Sequence, residues 1–314
     1  MSKQKTEFVE EVTVKLSKLE GSGIIKGLGS LDRRFALAGQ IAESYRRIRY
    51  VQIIQGREVS RSSCEPSNES FDPLKAAIVE ARAGRIDESL WMVFYFVHFG
   101  KNLKGGWRYA REVFNALGQQ SPWTWEITKQ NPKAFRKWLA NNIPLLKRQG
   151  VPGGFGNHRK YTSLDANASD QTGAAFETYV NWIGPANTHL ERFKNLTSDC
   201  ADCPGSRFDT LYQSMSSVSS FGRMAKFDYL CMVGKLRIFD VEPFSVYVAN
   251  ATGPKKGGKL LFGGNDSANL SNDELERLYA VLRVELDLPF SMQILEDAVC
   301  NWQKSPAIFR AFRG

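Results

Sequence analysis

The sequence has 314 residues, of which 42% are hydrophobic and 24% charged, and this composition excludes a disordered or low-complexity chain. Its 42 lysines and arginines exceed its 33 acidic residues and leave a net charge of +9, which favours a polyanionic partner such as nucleic acid. The longest apolar run, residues 90–97, is shorter than the roughly 20 residues that cross a membrane, and the charged start is unlike a signal segment. We therefore expect a cytoplasmic protein with no membrane partner.

Apolar residues recur at helical spacing along most of the chain, which predicts a nearly all-α protein. Helices are expected at residues 8–19, 31–54, 73–83, 87–99, 107–117, 132–141, 143–149, 221–230, 271–284 and 289–302. Strand-like alternation is confined to residues 245–248. A polar stretch with Cys64 and Pro66 indicates a break between helical regions. We expect an N-terminal helical segment at 1–56, a linker or surface loop at 57–72, and a helical catalytic domain at 73–314.

Basic residues lie among the apolar positions of two of these predicted helices. Residues 31–54 carry Arg33, Arg34, Arg46, Arg47 and Arg49. In residues 221–230, Arg223 and Lys226 are three apart and share one side of the helix. Either set forms a solvated basic face or contacts the phosphates of a nucleic acid. Arg223 and Lys226 are the candidates for a second contact with a DNA backbone.

A glycine-rich loop at residues 152–161 interrupts the helices and carries polar and aromatic side chains in succession. Asn157 and His158 suit a base edge, Arg159 suits a phosphate, and Tyr161 can stack on a ring. Because loops often carry function, we expect these residues to line a base pocket. The alternative is a capped surface loop. His98, at the end of a predicted helix, is expected to be a packed or capping histidine.

The stretch at residues 251–264 combines glycines with lysines and predicts a phosphate-handling hairpin between two helices. Gly253 and Gly258 would let the backbone turn tightly and approach an anion, and Lys255, Lys256 and Lys259 would supply positive charge. The spacing also fits a P-loop, but Leu260 stands where a magnesium-binding Ser or Thr belongs. A DNA-backbone contact explains these residues better. A glycine-rich surface turn with solvated lysines is the remaining alternative.

The last predicted helix separates an apolar stripe from a polar one. Asp297, Asn301 and Lys304 fall together on the polar side, while Glu296 lies about 100° round from Asp297. Enzymes that act on a base in duplex DNA flip it into a pocket. In N-glycosidic cleavage, a carboxylate then stabilises the positive sugar and takes a proton from water. We expect Asp297 as the catalytic carboxylate, Glu296 as its reserve and Asn301 in the base pocket.

Other roles for these residues stay open. Lys304 could contact the DNA backbone, and a lysine such as Lys259 or Lys304 could replace water as the nucleophile. A structural acid neutralised by Lys304 or Arg310 is the alternative for Asp297.

The 5 cysteines are odd in number and irregular in spacing, which indicates a reducing compartment. Cys200 and Cys203 form a C-x-x-C pair, but the sequence has no second pair and no histidine nearby. Four-ligand zinc would need distant partners. We expect ordinary thiols, no metal and no cofactor.

A series of motifs in order resembles the α-glutamyl/putrescinyl thymine pyrophosphorylase family, third clade. The motifs are residues 96–104, 155–161, 221–229, 251–254 with 260–264, and 295–304. The resemblance implies a helical fold akin to helix-hairpin-helix DNA glycosylases, acting on hypermodified bases of phage DNA. It also implies removal of α-glucosylated 5-hydroxymethylcytosine, which leaves abasic sites. Asp297 lies farther beyond the predicted hairpin than the acidic residue of those glycosylases, past a helix at 271–284.

Residues and resemblance together predict an antiviral, metal-independent DNA glycosylase with two helical lobes around a basic cleft. Its partner would be double-stranded phage DNA that contains glucosylated hydroxymethylcytosine. One alternative is a transferase that replaces the pyrophosphate of activated 5-hydroxymethyluracil with an amine. The other is a non-catalytic reader of modified DNA.

Overall fold

The computed structural model describes residues 3–184 and 187–311. This part of the chain contains 14 α-helices and no β-strand, so the all-α prediction is confirmed. In chain order the helices are α1 (Lys3–Gly21), α2 (Leu31–Gln55), α3 (Pro73–Arg82), α4 (Ile86–Phe99), α5 (Arg108–Phe114), α6 (Trp125–Gln130), α7 (Pro132–Leu146), α8 (Thr172–Ile183), α9 (His189–Leu196), α10 (Pro204–Ser214), α11 (Arg223–Lys235), α12 (Thr252–Gly263), α13 (Asn272–Leu286) and α14 (Ser291–Trp302).

The chain forms two compact units. The first combines the chain up to Val51 with the chain from Pro243, and the second is Gln52–Glu242. The first unit therefore contains α1, most of α2, and α12 to α14. The second contains the last turn of α2 and all of α3 to α11.

Three predicted helices have different bounds for local reasons. The helix expected at 107–117 ends at Phe114, because Ala116 and Leu117 have φ angles of 46° and 57°, which a right-handed helix does not accommodate. The segments at 132–141 and 143–149 form the single helix α7. Pro144 lies in its last turn, so the hydrogen bond that proline removes is lost only where the helix is ending.

The strand-like stretch at 245–248 is not a strand. It runs through a loop into a short 3₁₀ helix, Val248–Asn250. The backbone N–H groups of Val246 and Val248 donate to the two carboxylate oxygens of Glu276 on α13, at 3.3 and 2.7 Å. A side chain thus satisfies the donors that a second strand would have paired.

The predicted hairpin at 251–264 is wrong, because these residues form helix α12. A Cβ atom on Gly253 would lie 2.3 Å from the Cys300 sulfur, and one on Gly257 would lie 2.6 Å from a Val299 methyl group. Gly258 is also tightly packed, although less so, with the Tyr279 ring 3.1 Å from its Cβ position. The glycines therefore bring α12 close to α13 and α14, rather than bending the backbone round an anion.

An aromatic core surrounds α4 in the second unit. The Trp91 ring stacks on Phe94 with centroids 5.0 Å apart, and its indole N–H donates to the Trp123 carbonyl at 2.8 Å. His98 is fully buried, stacks on Phe94 and lies 3.1 Å from the Thr172 hydroxyl. Burial lowers the pKa of His98 well below its usual value. The interpretation of His98 as a packed histidine is confirmed.

Candidate functional site

Helix α14 holds the carboxylate of Asp297 at the surface of the first unit. Its Oδ2 atom accepts a hydrogen bond from the Ser44 hydroxyl at 3.0 Å and lies 3.3 Å from an Arg47 guanidinium nitrogen. The same nitrogen donates to Ser44 Oγ at 3.1 Å. The Asp297 side chain is 29% exposed. Two residues one turn apart on α2 thus orient a carboxylate that solvent can reach.

The Asp297 ion pair differs from the one expected of a structural acid. Lys304 and Arg310 were the predicted partners, but the structure pairs Asp297 with Arg47. The Lys304 ammonium instead donates to the Asn301 side chain at 3.3 Å. Arg47 belonged to a predicted basic helix, whereas no sequence signal pointed to Ser44, which is 253 residues away from Asp297.

The other polar residues of α14 differ in exposure. Asn301 is half-buried and Lys304 is exposed, one and two turns beyond Asp297. Glu296 is only 3% exposed and lies close enough to the buried Tyr279 to raise the pKa of that phenol, after burial itself. Its burial makes Glu296 a poorer candidate than Asp297 for contact with a substrate.

The lysines of α12 face away from its glycines. Thr252, Lys255, Lys256 and Lys259 lie on one side of the helix, because each residue advances it by about 100°. Together with Asn250 and Asp266 they line an open depression of about 530 Å³. The Lys256 ammonium pairs with Asp266 at 3.1 Å. The first unit thus has an open basic surface at the start of α12.

The glycine-rich loop of the second unit divides into inward and outward side chains. Arg159 Nε donates to the His98 carbonyl at 3.1 Å, and a terminal nitrogen donates to the Ser220 carbonyl at 2.6 Å. Burial lowers the pKa of Arg159 to about 10. Asn157 and His158 are exposed, and Tyr161 is 85% exposed. Arg159 therefore anchors the loop, while its neighbours face solvent.

Lys226 does not lie on an exposed basic face. It is 9% exposed, its ammonium donates to Ser216 at 3.0 Å, and it sits 4.2 Å from the centre of the Tyr212 ring. Burial lowers the pKa of Lys226. Arg223, half-buried, lies 2.7 Å from the Met224 sulfur. The shared side that helical spacing predicts is thus largely packed rather than solvated.

The two cysteines of the C-x-x-C pair have separate local partners. Cys203 Sγ accepts from the Ser206 N–H at the start of α10, at 3.4 Å, and Cys200 Sγ lies 2.9 Å from the Thr210 hydroxyl. No cluster of metal-ligating side chains occurs among residues 3–184 and 187–311. In the same ranges, every helix is too short or too polar to cross a membrane.

The structure groups some of the predicted residues and separates others. Asp297, Glu296, Asn301, Lys304 and the α12 lysines belong to the first unit, whereas the glycine-rich loop, Arg223 and Lys226 belong to the second. Within the first unit, Asp297 joins Ser44 and Arg47, and Asn301 joins Lys304. The arrangement can hold a carboxylate in one orientation at a reactive centre.

Comparison with models of known families matches residues 32–314 to the family described as alpha-glutamyl/putrescinyl thymine pyrophosphorylase clade 3. The match includes both α12 and α14, and it confirms the resemblance that the ordered motifs indicate. No curated protein and no solved structure matches the chain significantly.

Proposed function

Because the chain belongs to the alpha-glutamyl/putrescinyl thymine pyrophosphorylase family, clade 3, we propose that it is an enzyme acting on a modified base in DNA. The finer proposal is a DNA glycosylase that excises α-glucosyl-5-hydroxymethylcytosine from phage DNA in the cytoplasm and so blocks phage replication. The observation that carries it is the solvent-accessible Asp297 carboxylate, oriented by Ser44 and Arg47.

In this reaction the bond between C1′ of the sugar and the base nitrogen breaks, and the base departs with the bonding electrons. The Asp297 carboxylate stabilises the positive charge that develops on the sugar. Water attacks C1′ and gives a proton to Asp297, while the released base takes a proton from solvent. Ser44 and Arg47 act as positioning residues, since both contact Oδ2 of Asp297.

The proposed DNA contacts follow from exposure and charge. The lysine-lined depression on α12 suits phosphates, since Lys255 and Lys259 are partly exposed beside it. Asn157, His158 and Tyr161 face solvent on the glycine-rich loop and suit a flipped base through hydrogen bonds and stacking. The glycosylase-like helical architecture is part of the same proposal.

Mass spectrometry of small molecules released from T-even-type phage DNA tests the glycosylase directly. The controls are unmodified DNA and DNA with hydroxymethylated but unglucosylated cytosine. We expect free glucosylated hydroxymethylcytosine, and alkali-labile sites in the DNA, from the glucosylated substrate only. Absence of both products, with purified folded protein in excess, would exclude this activity.

A second candidate is a transferase that displaces pyrophosphate from an activated 5-hydroxymethyluracil in DNA. The family description names a pyrophosphorylase, and the lysines around the α12 depression suit a pyrophosphate leaving group. Here an amine nitrogen attacks the methylene carbon, the carbon–oxygen bond breaks, and Asp297 takes the surplus amine proton.

The two reactions leave different products. The transferase releases pyrophosphate and leaves a base that still carries its glycosidic bond and the added amine. Incubation of DNA containing pyrophosphorylated hydroxymethyluracil with putrescine, followed by nucleoside mass analysis, distinguishes it from the glycosylase.

A further inference from the structure

Three arginines of the second unit surround one carboxylate. Arg108 on α5 donates to Glu112 at 2.8 Å, and Arg148, just beyond α7, donates to both Glu112 oxygens at 2.7 and 3.0 Å. Arg111 approaches the same carboxylate only to 3.7 Å. Three positive charges thus share a single negative charge.

Arg108 and Arg148 are engaged in holding the fold. Besides Glu112, Arg108 donates to the carbonyls of Pro152 at 2.6 Å and Leu146 at 2.9 Å. Arg148 donates to the Leu145 carbonyl at 3.0 Å. Arg108 is 8% exposed. Its hydrogen bonds join α5 to the end of α7 and to the loop beyond it. Both arginines pair with Glu112. The Arg148 side chain is nevertheless 41% exposed, so its guanidinium remains at the surface.

Arg111 is different, because the fold leaves its hydrogen-bonding capacity unused. Its side chain is 17% exposed, yet in residues 3–184 and 187–311 its guanidinium makes no hydrogen bond to protein. A guanidinium carries five N–H donors in a planar fork that matches phosphate. No Arg111 nitrogen is among the buried unpartnered atoms of the described residues, so its N–H groups reach solvent and can bind an anion without breaking a contact of the fold.

The surroundings of Arg111 are open and positively charged. It lines one depression of about 370 Å³ together with Lys104, Arg148 and Glu69, and it also lines a second of about 400 Å³. Over the part of the chain that the structure describes, the Lys104 ammonium has no ion-pair partner. Lysine and arginine outnumber carboxylate residues in the two linings by four to two. The space and the charge both suit a phosphate group.

We propose that Arg111, with Lys104 and Arg148, forms a binding site for a phosphate oxyanion. Its source is either a phosphodiester of duplex DNA or free pyrophosphate, which share this chemistry. The site lies in the second unit, whereas Asp297 lies in the first. It therefore requires neither a modified base nor the reaction assigned to Asp297.

Binding of unreactive ligands tests the site. The variants are Arg111→Gln and Lys104→Gln, with Arg61→Gln as the charge-matched control, because the Arg61 side chain is 92% exposed in the same unit and is absent from both linings. Fluorescence anisotropy measures affinity for an unmodified duplex over a range of salt concentrations. Calorimetry measures affinity for inorganic pyrophosphate, with sodium glutamate as the carboxylate control.

We expect Arg111→Gln to weaken binding of one of the two ligands, DNA or pyrophosphate, about tenfold. This is the usual effect of losing a charge-assisted contact. If that ligand is DNA, the slope of log affinity against log salt also falls by about 0.9 for the lost phosphate. If it is pyrophosphate, the loss appears in calorimetry alone. The site is excluded if both variants bind both ligands as Arg61→Gln does, or if glutamate binds as well as pyrophosphate. Because no product is measured, a failed glycosylase assay leaves this outcome unaffected.

Discussion

The Nδ1 atom of His189 lies 2.7 Å from Oδ1 of Asp87 in the second unit. The Asp87 carboxylate also accepts the His189 backbone N–H at 2.8 Å. On the other side of the ring, Nε2 lies 2.9 Å from the Tyr179 hydroxyl, which is 2.7 Å from that of Tyr229. With the ring neutral and Nδ1–H donating to Asp87, Nε2 accepts from Tyr179 and Tyr179 accepts from Tyr229. The neutral ring thus completes the chain of bonds, and burial, which lowers the pKa of His189, favours that form.

Acidification should destabilise the protein through its two buried histidines. Burial lowers the pKa of His189 despite Asp87, and it lowers that of His98 further. The unfolded chain then binds more protons below about pH 6.5, so the free energy of unfolding falls as pH decreases from 7.5 to 5.5. Urea unfolding across this range measures the slope. We expect His189→Gln to flatten it.

This slope is best measured in a Glu88→Gln background. Glu88 has a pKa shift of the opposite sign, so its contribution would mask that of the histidines. A slope that survives replacement of both His98 and His189 would show that other groups cause it.

Glu88 should limit stability at alkaline pH. Burial raises its pKa to about 7, although Oε2 accepts the Trp125 N–H at 2.8 Å. Oε1 is buried, and no hydrogen-bond partner for it lies in the described ranges. The stability present below pH 4.5 is therefore lost as pH rises through 7. We expect Glu88→Gln to raise the free energy of unfolding by about 1–3 kcal/mol at pH 8 and by little at pH 4.5. Equal effects at both pH values would contradict the ionisation argument.

Adding a methyl group at Gly257 should destabilise the first unit. Its Cβ position lies 2.6 Å from a Val299 methyl group and 2.7 Å from the Val299 carbonyl oxygen, and the backbone atom cannot rotate away. We expect Gly257→Ala to lower the free energy of unfolding by about 1–3 kcal/mol, as overpacked cores do. Gly21→Ala is the control, because no atom lies within 4 Å of its Cβ position at the end of α1. Thermal denaturation measures the melting temperatures of both variants. A melting temperature of Gly257→Ala equal to or above that of Gly21→Ala would refute close packing.

Replacing Asp297 should slow the reaction strongly while retaining DNA binding. Asp297→Asn keeps the side-chain shape and an oxygen for the Ser44 hydroxyl, but an amide cannot accept the proton of water. We expect product formation to fall about 10²- to 10⁴-fold, the range for loss of general acid–base catalysis. Asp273→Asn, exposed at the start of α13, is the matched control. Full protection against phage by Asp297→Asn would instead indicate a non-catalytic reader of modified DNA.

The sequence by itself determined the helical class, most helix positions and the polar stripe of α14. These depend on local hydrogen bonds and on a period of about 3.6 residues, which the sequence of the helical segment itself displays. Helix α9 begins with a capping box formed by Thr188 and Glu191. This local signal predicts the start of a helix, whereas apolar periodicity did not predict α9.

Only the tertiary structure decided what these residues contact. It paired Asp297 with Ser44 and Arg47 from the other end of the chain, and it turned Arg159 and Lys226 inward. It also made the glycines of α12 packing contacts, and it placed the Arg111 guanidinium 3.7 Å from Glu112. A glycine permits a tight turn and a close helix contact equally well. Which of the two it serves depends on partners distant in sequence, and no local pattern encodes them.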